Sequence, residues 1–362
     1  MIEIIGKYNK SDVFTDELEP ATYQQILDMC NLEYLKDAVI KIMPDCHVGT
    51  GCTIGTTILF EDDHPIAINP LHVGVDIGCG VKVSKLINAD VNFKQLDSVI
   101  RNKIPVGFAV HKKKIGAALD FINALNCKKK LTNIDRLACS LGTLGSGNHF
   151  IEIDTDSSGK NYLLVHSGSR NLGLQVANFY GSISNRDGFL SVANTQDYLQ
   201  DMLTCQTFAT KNRDRISSTI LKEMGIKEVE SFHTIHNYIE KDAARKYYIL
   251  RKGAVSANAG EQLVIPLNMR DGSLLAVGKG NLDWNYSAPH GAGRILSRSQ
   301  AKKKLDLVEF KKEMEGIYST SVSKSTLDES PMAYKNISEI LKYVGETVKI
   351  IDTLKSVYNF KA

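Results

Sequence analysis

Two periodicities run along the chain. Compact apolar runs at residues 53–60, 80–86, 162–166, 263–267 and 274–277 read as strands. Apolar positions at three- and four-residue steps predict helices over 23–31, 93–102, 115–125, 196–224 and 335–358. In the last of these, Ile337, Leu341, Val344, Val348, Ile351 and Tyr358 form the stripe, with Lys and Glu between them. That spacing predicts a C-terminal helix packed on the body. The mixture of elements predicts a mixed α/β (α+β) fold, with central β-sheets surrounded by helices. No repeat or linker divides the chain, so residues 1–362 are expected to form a single catalytic domain.

Composition narrows the class. Apolar residues make up 43% of the 362 and charged residues 23%, which excludes disorder for the bulk of the chain. The 44 basic and 41 acidic residues leave a net charge of +3. Any nucleic-acid contact must therefore come from local patches such as 111–114, 128–130 or 302–304, and such runs are more often solvated faces. No run reaches the roughly 18 apolar residues of a membrane helix, and the first residues lack a secretion-signal pattern. Seven scattered cysteines, an odd number, point to reduced thiols and a cytoplasmic location.

Glycine concentrates where metal-competent residues sit, at 49–55, 74–80, 142–147, 168–173 and 291–293. In Val75-Asp76-Ile77-Gly78-Cys79-Gly80 a carboxylate and a thiol lie three residues apart in a glycine-rich turn. A hard oxygen beside a soft sulfur suits a borderline ion such as Zn²⁺ or Mn²⁺, although a turn with an Asp and a buried Cys reads equally well. The stretch Gly142-Thr143-Leu144-Gly145-Ser146-Gly147-Asn148-His149 reads as a phosphate-cradling loop delivering an amide and an imidazole, with Glu152 beyond it as an acceptor for a purine edge. A core histidine after a flexible loop is the alternative there.

His166 ends a strand-like run and Arg170 follows it; His236 and Asn237 form another pair, with Arg251 downstream. Together Asp76, Cys79, His149, His166 and His236 supply enough ligands for one or two divalent ions. In Ser287-Ala288-Pro289-His290-Gly291-Ala292-Gly293-Arg294, His290 is flanked by residues with almost no side chain. Its accessible ring could be a nucleophile, a base or a ligand. His47 is an intermediate case, and His64, His72, His111 and His233 lack such neighbours.

These motifs, with Met43-Pro44-Asp45, His47, Arg251-Lys252-Gly253-Ala254 and the ending Phe360-Lys361-Ala362, resemble the RtcB family of GTP-dependent RNA-splicing ligases along nearly the whole chain. The resemblance implies that Asp76, Cys79, His149, His166 and His236 bind two Mn²⁺ ions. It implies that His290 attacks the α-phosphorus of GTP and becomes guanylylated. GMP then passes to an RNA 3′-phosphate, itself obtained from a 2′,3′-cyclic phosphate where needed, and a 5′-hydroxyl end completes the ligation. Nucleotide contacts are implied at Asn148, Glu152, His236, Asn237, Pro266, Leu267, Asn268, Met269, Ser273, Gly291, Ala292, Gly293 and Lys361.

Arg170, Arg251 and Arg294 are the candidate RNA contacts, since they lie beside these motifs in sequence. The resemblance also brings an archease-like activator or a release-factor-like partner into view, and no membrane. Where the family usually reads Pro-Gly-Ser-Met-Gly, this chain has Pro266-Leu267-Asn268-Met269-Arg270-Asp271-Gly272, and its 79–149 and 166–236 intervals are short for the family. The altered loop motivates an alternative, a two-metal RNA phosphodiesterase or cyclic-phosphate hydrolase without guanylylation. An RNA-binding protein with a structural metal is the remaining reading.

Overall fold

The computed structural model describes residues 1–61, 66, 68–87 and 90–361. His64 and Ala362 lie outside them. Two large β-sheets organise the chain. One has six strands, in the order Ile2–Ile5, Lys10–Val13, Val39–His47, Ile54–Glu61, Tyr247–Lys252 and Asn237–Asp242. Its neighbours are antiparallel except for the second and third. The other has seven antiparallel strands, in the order Gln262–Asn268, Gly272–Gly278, Val348–Lys361, Phe150–Thr155, Asn161–Ser167, Gly80–Leu86 and Glu228–Ile235. A short pair, Ala254–Ser256 with Ser287–Pro289, lies apart from both.

The strand Gly80–Leu86 shows why the seven-stranded sheet has two buried faces. Val81 and Val83 pack with Phe150, Leu164, Val264 and Leu354 on one side. On the other, Ser84 Oγ lies 3.3 Å from Ser217 Oγ and Lys82 pairs with Asp214 at 3.3 Å, both partners on the helix Val192–Met224. That helix is capped by the Ser191 side chain, which accepts from the Asn194 N–H, so it starts four residues before the apolar periodicity does. Its Ile216 and Ile220 join Ile151, Ile153, Leu163 and Val165 of the sheet in one apolar cluster.

The predicted C-terminal helix is a correction. Only Ile337–Val344 is helical, opened by a capping box of Asn336 and Glu339. Residues Val348–Lys361 instead form a 14-residue strand between Gly272–Gly278 and Phe150–Thr155. The run also carries a two-residue period, with Leu354, Ser356, Tyr358 and Phe360 buried. Two members of the predicted helical stripe are outside the core: Leu341 is 41% exposed and Ile351 53%. No described helix is long and apolar enough to cross a membrane.

Candidate active site

The site lies where the two large sheets meet. His236 is the single residue between Glu228–Ile235 of one sheet and Asn237–Asp242 of the other. Its backbone N–H donates to the Cys79 carbonyl at 2.9 Å, which ties it to the turn before Gly80–Leu86. His166, near the end of Asn161–Ser167, pairs in register with both Val81 and Phe150. His149 immediately precedes Phe150–Thr155. Strand pairing therefore gathers four turns around one point.

At that point Cys79 Sγ lies 3.4 Å from His149 Nε2 and 3.3 Å from His166 Nε2. His149 Nε2 is 3.0 Å from Asp76 Oδ2, and His166 Nε2 is 3.2 Å from His236 Nε2. The donors form two triads that share the sulfur: Asp76–Cys79–His149, and Cys79–His166–His236.

The other nitrogens fix the proton positions. His166 Nδ1 sits 3.2 Å from the Asn148 carbonyl. His236 Nδ1 sits 3.2 Å from Asn237 Oδ1, whose amide is oriented by the Gly253 N–H and the Asp76 carbonyl. Both Nδ1 atoms must donate, so both Nε2 lone pairs face each other with no proton between them. His149 Nδ1 has a 2.9 Å contact with the Leu144 carbonyl and a 3.2 Å contact with an Arg170 guanidinium nitrogen.

Facing lone pairs are repulsive unless a cation lies among them, and this donor set of imidazole, thiol and carboxylate suits a borderline divalent ion. Burial pulls His166 well below its ordinary pKa and His236 down to about 3, which keeps both rings in the neutral, ligating form. Burial opposes ionisation of Asp76 as well, yet its contacts with His149, Arg170 and Cys79 outweigh that and hold it at about 2. Asp76, Cys79, His149, His166 and His236 could thus hold one or two ions.

His290 faces this cluster, its ring centroid 4.8 Å from that of His236. Its Nδ1 is 2.6 Å from Asp45 Oδ2, a fully buried carboxylate oxygen that also accepts the backbone N–H groups of His290 and Gly291 at 3.2 Å each. The approach requires Gly293, whose φ is +76° and where a Cβ would lie 2.5 Å from the Asp45 carbonyl oxygen. With its proton held toward Asp45, His290 carries a lone pair on Nε2.

A pocket opens beside His290. Its walls include Asn148, Phe150, Glu152, His166, His236, Pro266, Leu267, Asn268, Met269, Gly291, Ala292, Gly293, Arg294, Arg298, Tyr334, Asn359 and Lys361. Lys361 Nζ bonds Glu329 Oε2 at 2.9 Å and the Asn148 carbonyl at 3.4 Å, and stands over the Phe150 ring. Burial favours the neutral acid at Glu329, but Lys361, Arg298 and Arg294 outweigh it and hold Glu329 at about 2. Burial instead pushes Glu152 up to about 7, and its Oε1 has no protein partner.

The family model described as tRNA-splicing ligase RtcB matches residues 25–132 and 121–362. Among curated proteins, the RNA-splicing ligase RtcB1 of Escherichia coli (strain ATCC 25922) is 31% identical, with 94% of each chain covered. The RNA-splicing ligase RtcB of Escherichia coli (strain K12) matches to the same extent. The tRNA-splicing ligase RtcB of Aeropyrum pernix is 28% identical over 83% of this chain and 82% of its own. The chain belongs to the RtcB family.

Against that membership, most residues expected to touch a nucleotide line the pocket, and two do not. Asn237 spends its amide orienting His236, as above. Ser273 is fully buried opposite Pro266, and its hydroxyl faces Asp154. Of the departure from the usual RtcB loop, Leu267 and Asn268 are on the pocket wall, while its charged residues are not: Arg270 pairs with Asp271 at 2.7 Å and with Glu313.

Among the candidate RNA contacts, Arg251 is a correction. It is fully buried, with its guanidinium bonded to Glu240, Tyr238, Ser287 and the Tyr286 carbonyl, so it reaches no ligand. Arg170 is half-buried against His149 and Thr143. Arg294 lies on the wall but is tied to Glu329, Tyr334 and the Leu296 carbonyl. Sequence reasoning missed Asp45 as the partner of His290, and also Glu329, Arg298 and Tyr334. Asp45 stood within a recognised motif, while the other three lie in a segment of short helices and turns between residues 294 and 334, outside the motifs read from the sequence.

Proposed function

We propose that this chain is an RNA ligase that uses GTP and two Mn²⁺ ions to join RNA 3′-phosphate or 2′,3′-cyclic phosphate ends to 5′-hydroxyl ends, residues 1–362 acting as one catalytic unit. The observation that carries the reading is the Asp45–His290 pair beside two donor triads that share Cys79. Asp45 accepts the Nδ1 proton, which leaves His290 Nε2 as the nucleophile toward the α-phosphorus. Pyrophosphate leaves as the nitrogen–phosphorus bond forms, and positive charge developing on the ring faces the Asp45 carboxylate. Bound divalent ions would neutralise the triphosphate and polarise the phosphorus. Glu152 and Lys361 offer an acceptor for the base and a cation for the nucleotide. GMP then passes from His290 to the RNA 3′-phosphate, and the 5′-hydroxyl displaces it.

A hydrolase lacking guanylylation rests on the altered 267–271 loop, whose charged residues pair away from the pocket. The test is label transfer from α-labelled GTP with Mn²⁺, resolved on a denaturing gel, with ATP alongside. A GTP-dependent band lost in His290→Ala is expected. No band from either nucleotide with folded, metal-loaded protein would overturn the reading.

A further inference from the structure

Phe108 stands apart from the rest of the surface. At 90% exposed it is the most exposed large apolar side chain among the described residues. It sits in a tight turn in which the Ala109 N–H donates to the Val106 carbonyl, and Gly107 has a φ of +62°, so the turn projects the ring outward. The turn is fastened to the catalytic loop. Val106 pairs with Gly145, and the Gly107 N–H donates to the Gly145 carbonyl at 2.7 Å. The adjoining Leu144 carbonyl is the one that orients His149. Between this anchor and Asn148 the chain is exposed, at Ser146 and Gly147.

Cations flank the turn. Arg136 donates to the Phe108 carbonyl, and Lys112 and Lys113 follow the turn, both exposed. His111 Nε2 contacts the Gly142 carbonyl at 3.1 Å, and the Arg215 side chain packs where a Cβ on Gly142 would be. Lys114 is neutralised by Asp135 at 2.6 Å. Lys112, Lys113, Arg136 and Arg215 have no acidic partner within ion-pair distance among the described residues, and Arg136 and Arg215 are likewise exposed. A protein-binding face would ring the aromatic with further apolar side chains. A bare ring on a turn flanked by unpaired cations is the pattern that holds a single-stranded nucleic acid, by stacking on a base and neutralising phosphates.

We infer that Phe108, with Lys112, Lys113, Arg136 and Arg215, is a stacking platform for a single-stranded base of the substrate RNA close to its broken end. This rests on the RNA reading above. The test measures anisotropy of a labelled single-stranded oligoribonucleotide bearing a 3′-phosphate, on metal-loaded enzyme, with label transfer from GTP run in parallel. Phe108→Ala should weaken RNA binding by roughly 5- to 150-fold. Phe108→Trp should restore it, and neither should change labelling of His290. Lys112→Ala with Lys113→Ala should reduce the slope of log affinity against log salt by about 0.7 for each phosphate that is no longer neutralised. If Phe108→Ala binds and joins RNA like the wild type, the platform is refuted and the ring is left to a protein partner. If the wild type is labelled by GTP yet neither binds nor joins RNA, the RNA reading itself fails.

Discussion

Asp45→Asn alters one buried atom pair and leaves the shape of the site intact, so it isolates what the carboxylate contributes to His290. Three N–H groups converge on Asp45 Oδ2, at 2.6, 3.2 and 3.2 Å, while Oδ1 has no partner. An asparagine would keep its oxygen under the three donors and turn its NH₂ toward the unpartnered side, leaving a buried donor unsatisfied at about 1–3 kcal/mol of stability. The kinetic effect is larger. Attack by Nε2 places positive charge on a ring whose centre lies about 4 Å from the carboxylate, worth about 4 kcal/mol at an effective dielectric constant of about 20. Losing that charge should slow guanylylation by about 10³-fold. Single-turnover labelling at saturating GTP reads the rate, and calorimetric titration of the nucleotide reads affinity. Labelling within fivefold of wild type would refute the argument. A loss of labelling matched by lost nucleotide affinity would refute it too, since Asp45 would then be building the pocket and not supporting the charge.

The shared sulfur should be visible in metal content: wild type is expected to retain two Mn²⁺ per chain, His236→Ala one, and Cys79→Ala neither tightly. Elemental analysis after gel filtration checks this, and two ions retained by Cys79→Ala would break the shared-ligand geometry. Lys361→Met should raise the nucleotide Kd by about tenfold or more with metal content unchanged, because it removes a buried cation from the pocket wall; a Kd within twofold would count against it. Burial, with Lys252 adding to it, lowers His72 to about 3. The unfolded chain therefore takes up a proton near pH 6.5 that the folded chain refuses, and stability falls as pH drops from 6.5 toward 3. That component is about 1.4 kcal/mol per pH unit, and His72→Gln should remove it from the pH slope of urea stability between pH 7 and 5. An unchanged slope would show that His72 does not contribute it.

Local pattern was sufficient where one element meets one partner. The strand at 80–86 is observed with the bounds its apolar run predicted, and the helix at 93–102 gained only Lys103. It failed at the C-terminus because residues 348–361 satisfy two periods at once. Val348, Ile351 and Tyr358 fit a helical stripe, while Leu354, Ser356, Tyr358 and Phe360 fit a strand. The choice is made by the unpaired edges of Gly272–Gly278 and Phe150–Thr155, which need a strand between them. Those edges are contributed by residues 70 to 211 positions earlier, so nothing local could announce them.

The site divides along the same line. Asp76, Cys79, His149, His166, His236 and His290 are legible because each sits in a glycine-rich turn or at a strand end, where sequence context shows how bare the neighbourhood is. What orients them is long-range: Asp45 meets His290 across 245 residues, and Lys361 meets Glu329 through a strand read as helix. Adjacency misled in the case of Arg251, which lies next to motif residues but points into the interior, pairing across strands with Thr57 and Tyr238. A charged residue beside a motif is thus no measure of access, because alternation along a strand sends neighbours to opposite faces. Phe108 reverses the lesson. Its own neighbourhood predicts a solvated lysine run, and only the backbone ladder to Gly145 brings its exposed ring beside the loop that orients His149.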